Sequence, residues 1–257
     1  MNQLNVNLPE LPYAVSEAMN RLRINIKFCG KNTRRILLTS CQPNEGKSTI
    51  SAYLWKMLAE AGFPTVLVDV DLRKSVMKTR FQMDYDDDTT MGLNHYLSGM
   101  AEYEDVVYST NIPNGYMVPC TQLLENPSAL LEDVRFKELL NTLSENYRFV
   151  IIDSPPLGSV ADGALIASLC DGAVLVVRAG TTPRTLIKQS LYEIQQSGCK
   201  LLGTVLNRAD VKGRAYGKYG YGKYGYGYGY GYGYGYEPKD KKNSSDSAAT
   251  DKNSTEK

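Results

Sequence analysis

Residues 35–49 read RILLTSCQPNEGKST: a short strand-like run, a loop carrying Pro43, and then Gly46-Lys47-Ser48-Thr49 at the start of a helical pattern. Strand, loop and helix in that order are what a phosphate-binding loop requires. The backbone N–H groups of such a loop and the positive end of the following helix stabilise anionic oxygens. Lys47 can bridge terminal phosphates and the Ser48 hydroxyl can coordinate Mg²⁺. Asn44, Glu45, Gly46, Lys47, Ser48 and Thr49 are therefore the candidate nucleotide-binding residues. The first glycine of G-x-x-x-x-G-K-[ST] falls at position 41, where this chain has Cys41.

Four further apolar runs lie downstream: TVLVDVD at 65–71, FVIIDS at 149–154, AVLVV at 173–177 and LLGTVLN at 201–207. They are too uniformly apolar for a sheet with one wet face and suit parallel strands buried on both sides. Helical segments separate them. One runs over 47–61 to Gly62, one opens at Asn126-Pro127 and covers 127–146, and one opens at Thr182-Pro183 and closes at Gly198. Val15, Met19, Leu22 and Ile26 fall at helical spacing and predict an amphipathic helix over 13–27. The alternation predicts an α/β fold, a right-handed, doubly wound, mostly parallel sheet of the P-loop NTPase type. Residues 80–120 read as loops and short helices over the strand ends.

Two acidic sites fall at strand ends. Asp153 closes FVIID, where Pro155-Pro156 stops the chain and keeps the carboxylate at the tip, suited to holding Mg²⁺. Asp69 and Asp71 lie two residues apart, on one face of an extended segment. Their separation allows one carboxylate at the acceptor hydroxyl and one at the metal.

Composition bounds the partners. The chain has 257 residues and a net charge of +1, so nothing points to nucleic acid. Cys29, Cys41, Cys120, Cys170 and Cys199 are odd in number and contain no C-x-x-C pair, which argues against a disulfide framework or a zinc site and fits a reducing cytoplasm. No apolar run approaches the roughly 18–20 residues needed to span a bilayer, and the first residues do not read as a signal peptide, so membrane attachment is expected through a partner. The expected organisation is an N-terminal segment with a self-association helix (1–30), a P-loop α/β domain (31–211), a tyrosine cluster (212–236) and a polar end (237–257).

The tyrosine cluster reads AYGKYGYGKYGYGYGYGYGYGYE. It holds Tyr216, Tyr219, Tyr221, Tyr224, Tyr226, Tyr228, Tyr230, Tyr232, Tyr234 and Tyr236, ten of the chain's nineteen tyrosines. Glycine at every second or third position maximises backbone entropy, so the run is expected to stay disordered and to act as a substrate.

TSCQPNEGKST, LVDVDLRK, FVIIDSPP and the terminal tyrosines, in this order, resemble the bacterial tyrosine autokinases of capsule and exopolysaccharide synthesis. The resemblance covers nearly the whole chain. It implies that Lys47 and Ser48 bind phosphates and Mg²⁺, Asp71 and Asp153 hold the metal, Asp69 orients the tyrosine hydroxyl, and Asn207 in VLNR contacts adenine. ATP and Mg²⁺ are the implied cofactors. The family's E-x-x-R-x-x-R motif for octameric ring assembly is met here by Glu17, Asn20, Arg21 and Arg23, with Asn20 replacing the middle arginine. The implied partners are other copies of the chain, a membrane activator of the polysaccharide chain-length family that recruits it to the inner face of the membrane, and a cognate tyrosine phosphatase.

Other readings compete. The motifs of eukaryotic-type protein kinases are missing. Partitioning or division-site ATPases carry a second lysine early in the loop, where this chain has Gln42, and lack a tyrosine tail. The Gly-Tyr run alone fits a cohesive interaction segment. Elsewhere, His95 reads as part of a polar helix face, Trp55 as core, and DYDDD at 84–88 as a solvated loop. Arg73-Lys74 is either a solvated turn or a phosphate attractor.

Phosphoryl transfer has a loose transition state, so positioning and charge neutralisation dominate, and Asp69 need only align the phenol and take its proton late. A flexible tail of roughly 20 residues has an r.m.s. span of about 25 Å, which favours phosphorylation of a neighbouring chain.

Overall fold

The computed structural model describes residues 3–86, 89–158 and 162–209. The tyrosine cluster and the polar end lie outside the described residues. The strands are β1 (Gln3–Leu4), β2 (Arg35–Ser40), β3 (Thr65–Asp69), β4 (Tyr108–Thr110), β5 (Gly115–Val118), β6 (Phe149–Asp153), β7 (Gly172–Arg178) and β8 (Leu201–Asn207). The helices are α1 (Tyr13–Phe28), α2 (Lys47–Glu60), α3 (Met77–Arg80), α4 (Leu93–Leu97), α5 (Tyr103–Val106), α6 (Ser128–Glu132), α7 (Val134–Asn146), α8 (Asp162–Ser168) and α9 (Arg184–Gln196).

The strands form one sheet in the order β1-β4-β5-β3-β6-β2-β7-β8, parallel throughout except where β4 meets β5. The two-residue period of a strand sorts its side chains into two cores. Ile36 and Leu38 join Leu67, Phe149, Ile151, Val174 and Val176 beneath Leu54, Trp55 and Leu58 of α2 and Met19 and Ile26 of α1. Leu37, Val66, Val68, Val150 and Ile152 face the other way, onto Phe136, Leu139, Leu140 and Leu143 of α7. All five residues of β3 and of β6 are buried, which is why these runs read as continuously apolar.

Several expectations need correction. Helix α1 forms as predicted, but Val15 is 45% exposed and only Met19 and Ile26 are fully buried. The helix expected over 127–146 is two helices. Asp133 is extended (φ −65°, ψ 149°) and its side chain accepts the Arg135 N–H, so it breaks one helix and caps the next. Pro183 is extended and caps α9, so that helix begins at Arg184 rather than at the proline. The 80–120 segment holds two strands besides short helices, because β4 and β5 extend the sheet beyond β3. Strand β3 ends at Asp69, which leaves Asp71 in the turn beyond it rather than on the same strand face. His95 is buried, and its Nδ1 accepts the Gly92 N–H at 3.1 Å to close the first turn of α4. Trp55 is fully buried and donates to the Thr65 carbonyl at 3.1 Å. Asp84 and Asp86 are exposed.

Asp171 fixes the start of β2. Its carboxylate accepts the N–H groups of Arg34 (2.9 Å) and Arg35 (2.8 Å) and pairs with the Arg35 guanidinium at 3.1 Å. Burial alone would raise its pKa, but the Arg35 and Arg34 N–H groups and the Arg35 charge outweigh burial and hold it below the usual carboxylate range. A carboxyl lowered on folding stabilises the fold above its unfolded pKa of about 3.9, and that stabilisation is lost as pH falls through the folded value. Asp171→Asn should therefore cost about 1–3 kcal/mol in urea unfolding at pH 7. The deficit should shrink below about pH 4. A deficit that is the same at pH 7 and pH 3 would remove the ionic part of this account.

Candidate active site

The candidate residues converge because β3, β6 and β2 are adjacent and parallel, so their C-terminal ends open on one edge of the sheet. Asp69 and Asp153 stand at paired register positions, and Leu38 of β2 flanks Asp153 on its other side. The loop from β2 to α2 wraps this edge. Asn44 (φ 64°) and Gly46 (φ 97°) turn it, and Gly46 caps α2. A Cβ on Gly46 would lie 2.1 Å from the Asn207 side-chain nitrogen, so the position admits only glycine in this packing.

Asn207, at the end of β8, donates from Nδ2 to the Glu45 carbonyl at 2.8 Å. Glu45 braces the loop from within. Its buried carboxylate accepts the N–H groups of Cys41 (2.7 Å) and Gln42 (3.0 Å) and the Thr182 hydroxyl. That side chain is fully engaged, which leaves the backbone of Glu45 to serve a nucleotide. Cys41 is 1% exposed with its side chain in the core, so the loop accommodates a side chain where the phosphate-loop pattern has its first glycine.

The charged centre holds three carboxylates and one ammonium. Lys47 Nζ lies 3.0 Å from Asp71 Oδ2, 3.4 Å from Asp153 Oδ2 and 3.2 Å from Ser48 Oγ. Ser51 donates to Asp153 Oδ1 at 2.9 Å. Asp69 accepts the Asp71 N–H at 3.3 Å and the Ser75 hydroxyl. Burial would lower the pKa of Lys47, but Asp153 and Asp71 outweigh it and hold the ammonium charged. Burial raises Asp153, opposed by Lys47 and the Ser48 and Ser51 hydroxyls. Asp69 is pushed up to about 8, by burial first and then by the negative charge of Asp153. A single ammonium cannot neutralise three carboxylates, and the deficit falls on Asp69 and Asp153.

That excess of hard oxygen donors fits a divalent cation of the Mg²⁺ type. No group of three or more His, Cys, Asp or Glu side chains is arranged to hold a metal ion among the described residues. Ser48, Asp71 and Asp153 would thus need phosphate and water oxygens to complete a Mg²⁺ shell. A cleft of about 300 Å³ opens above them, floored by Lys47, Ser48 and Asp71 and walled by Pro43, Pro155 and Pro156. Asp69, 1% exposed, does not line it.

The structure brings Lys47, Ser48, Asp71 and Asp153 together as expected from sequence. Thr49 accepts from Arg80 Nη1 at 3.2 Å. On α1, Arg21 is exposed while Glu17 and Arg23 are half-buried, and Asn20 accepts Arg23 Nε and Nη2 at 3.1 and 2.8 Å. Four contributors escape the sequence motifs: Ser51, Ser75, Ser128 and Asp162. The Arg73 guanidinium donates to Asp162 at 2.7 Å, to the Glu125 carbonyl at 2.7 Å and to Ser128 at 3.1 Å, so Arg73 is a structural tie rather than a solvated turn. Only Ser51, one helical turn after Lys47, carries a spacing that could have exposed it.

Residues 34–195 match a family model described as an AAA domain. The tyrosine-protein kinase CpsD of Streptococcus agalactiae is 42% identical over 208 residues, covering 80% of this chain and 90% of CpsD. Among solved structures, the chimerical protein CapA2B2 superposes with a TM-score of 0.71 at 33% identity, over 80% of this chain and 92% of that one. The septum site-determining protein MinD of Pyrococcus horikoshii OT3, complexed with Mg-ADP, gives 0.57 at 26% identity, over 68% of this chain and 70% of its own. The family model spans more than half of the chain, and CpsD aligns over most of both lengths. The chain therefore belongs to the bacterial tyrosine-protein kinase family that includes CpsD.

Proposed function

We propose that the chain is an ATP-dependent protein-tyrosine autokinase that phosphorylates its own tyrosine cluster and so regulates capsular or exopolysaccharide synthesis. The observation that carries this reading is the convergence of Lys47, Ser48 and Asp71 on one cleft, with Asp153 buried behind them and 3.4 Å from the Lys47 ammonium, in a chain that carries ten clustered tyrosines between residues 216 and 236. Gln42 in place of a second loop lysine, together with the tail, sets it apart from the division-site ATPases with which it shares a scaffold.

The loop N–H groups and the α2 N-terminus bind the phosphates, and Lys47 turns from its carboxylates to bridge the terminal ones. Bound Mg²⁺, held by Ser48, Asp71 and Asp153, would neutralise charge on the transferring phosphoryl group. Asp69, buried behind the cleft lining, aligns the incoming phenol and takes its proton late once the turn carrying Asp71 shifts to open it to the cleft. Asn207, already seated on the loop, contacts the adenine side. In this reading Tyr216 to Tyr236 of one chain enter the cleft of another.

No helix among the described residues is long and apolar enough to cross a membrane. We infer a separate membrane activator of the polysaccharide chain-length family, a ring-like homo-oligomer contacting through Glu17, Arg21 and Arg23 of α1, and a cognate phosphatase that resets the tail.

Lys47→Met should abolish phosphotyrosine on the tail while circular dichroism stays unchanged; sustained autophosphorylation in the folded variant would show that the ATP site has been misplaced. Asp71→Asn and Asp153→Asn should weaken Mg²⁺-dependent ADP binding, whereas Asp69→Asn should keep binding and lose transfer. Titration of labelled ADP with and without Mg²⁺ checks this, and equal losses in all three variants would sink the division of roles.

Five phosphotyrosines would add roughly −8 to −10 charges to a tail, enough to drive crowded neighbours apart. The mass measured by light scattering should fall after ATP treatment and recover after phosphatase. A mass indifferent to phosphorylation would refute this switch and leave the kinase activity untouched.

A further inference from the structure

The cleft has opposite charge at its floor and at its mouth. The floor carries Lys47 with Asp71 beside it, and Asp153 is buried directly behind, 3.4 Å from the ammonium, so two carboxylates face one cation. Lys74 and Arg80 line the mouth, both exposed, and neither belongs to any ion pair among the described residues. Arg73, beside them in sequence, is neutralised by Asp162. Val76, 37% exposed, and Pro43, Pro155 and Pro156 supply apolar surface for an aromatic ring.

The cations at the mouth do not suit an unmodified tail. Residues 211–236 contain lysines and an arginine and no acidic residue, so they gain nothing from Lys74 and Arg80. Phosphorylation reverses that relation. A phosphotyrosine carries about −1.5 to −2 charges, is repelled by the acidic floor and is drawn to unpaired cations. The sequence spacing supplies the rest. From Tyr224 to Tyr236 every second residue is tyrosine, so an extended segment presents all of them on one face, about 6.6 Å apart. When a neutral phenol reaches the floor, its neighbour on that face stands nearer the mouth.

We propose that Lys74 and Arg80 form a phosphotyrosine-binding subsite that holds an already modified tyrosine of an incoming tail while the tyrosine two residues away is phosphorylated. The subsite deepens the kinase reading above and rests on it. Each transfer primes the next, so modification spreads along one tail before it starts on another.

Dephosphorylated full-length chain given limiting Mg-ATP tests this by intact mass spectrometry. The wild type should yield heavily phosphorylated chains beside unmodified ones, and Lys74→Gln/Arg80→Gln should yield a random distribution around the same mean. Two peptides covering 224–230, one unmodified and one phosphorylated at Tyr226, give the second reading. The wild type should show a kcat/KM about tenfold higher for the phosphopeptide, the scale of two partly exposed ion pairs. The double Gln variant should lose that gain, Lys74→Arg should retain it, and transfer to the unmodified peptide should be unchanged by either. A wild type that does not prefer the phosphopeptide, or a gain that survives in the Gln variant, overturns the subsite and leaves the kinase reading standing. A Gln variant that instead loses ATP affinity assigns the two cations to the nucleotide and equally overturns it. A wild type that transfers to no tyrosine at all strikes the kinase reading itself.

Discussion

A parallel sheet covered by helices on both faces can hold charge only where its strands end. Every residue of β3 and β6 is buried, and an ionised carboxylate within those runs would meet apolar side chains on either side. Asp69 and Asp153 are therefore placed at the last position of their strands, where the backbone hands over to loops rich in donors. Because the strands are parallel and adjacent, their ends coincide, and the acidic groups gather at one edge without any long-range folding of loops. The same edge receives the loop from β2, so the phosphate cradle and the carboxylates share a location by topology alone.

The gathering has an electrostatic cost that the structure only partly offsets. Lys47 serves Asp71 and Asp153 together, and hydroxyls of Ser48, Ser51 and Ser75 supply what hydrogen bonding can. What remains is a site with a standing preference for added positive charge. A structural ion-pair network would have been balanced. The imbalance here is what marks the edge as a place for chemistry rather than for stability.

The strand and helix pattern was legible because burial on both faces leaves unbroken apolar runs, and β2 and β8 match their sequence limits. The phosphate loop was legible because its glycine, lysine and hydroxyl are each demanded by a separate physical need. The parts that escaped depend on tertiary neighbours. Asp133 breaks a helix that periodicity alone would continue, since capping by its own side chain competes with propagation. Strands β4 and β5 are short, and their pairing, which local sequence does not encode, decides them. Asp162 and Ser128 meet Arg73 from distant points in the chain, and no spacing rule links them. Glu45 lay within a recognised motif, but its neighbours Cys41, Gln42 and Thr182 show that its carboxylate shapes the loop.

Among the described residues, strand β8 is the outermost strand at its side of the sheet, paired only with β7, and its side chains are half-buried or exposed. Edge strands are among the first elements to open in local unfolding. Asn207 sits at its end and holds the Glu45 carbonyl. Each fraying of β8 therefore also frees the turn at Gly46, so the amide-exchange protection of 201–207 is a gauge of how firmly the phosphate loop is held in shape.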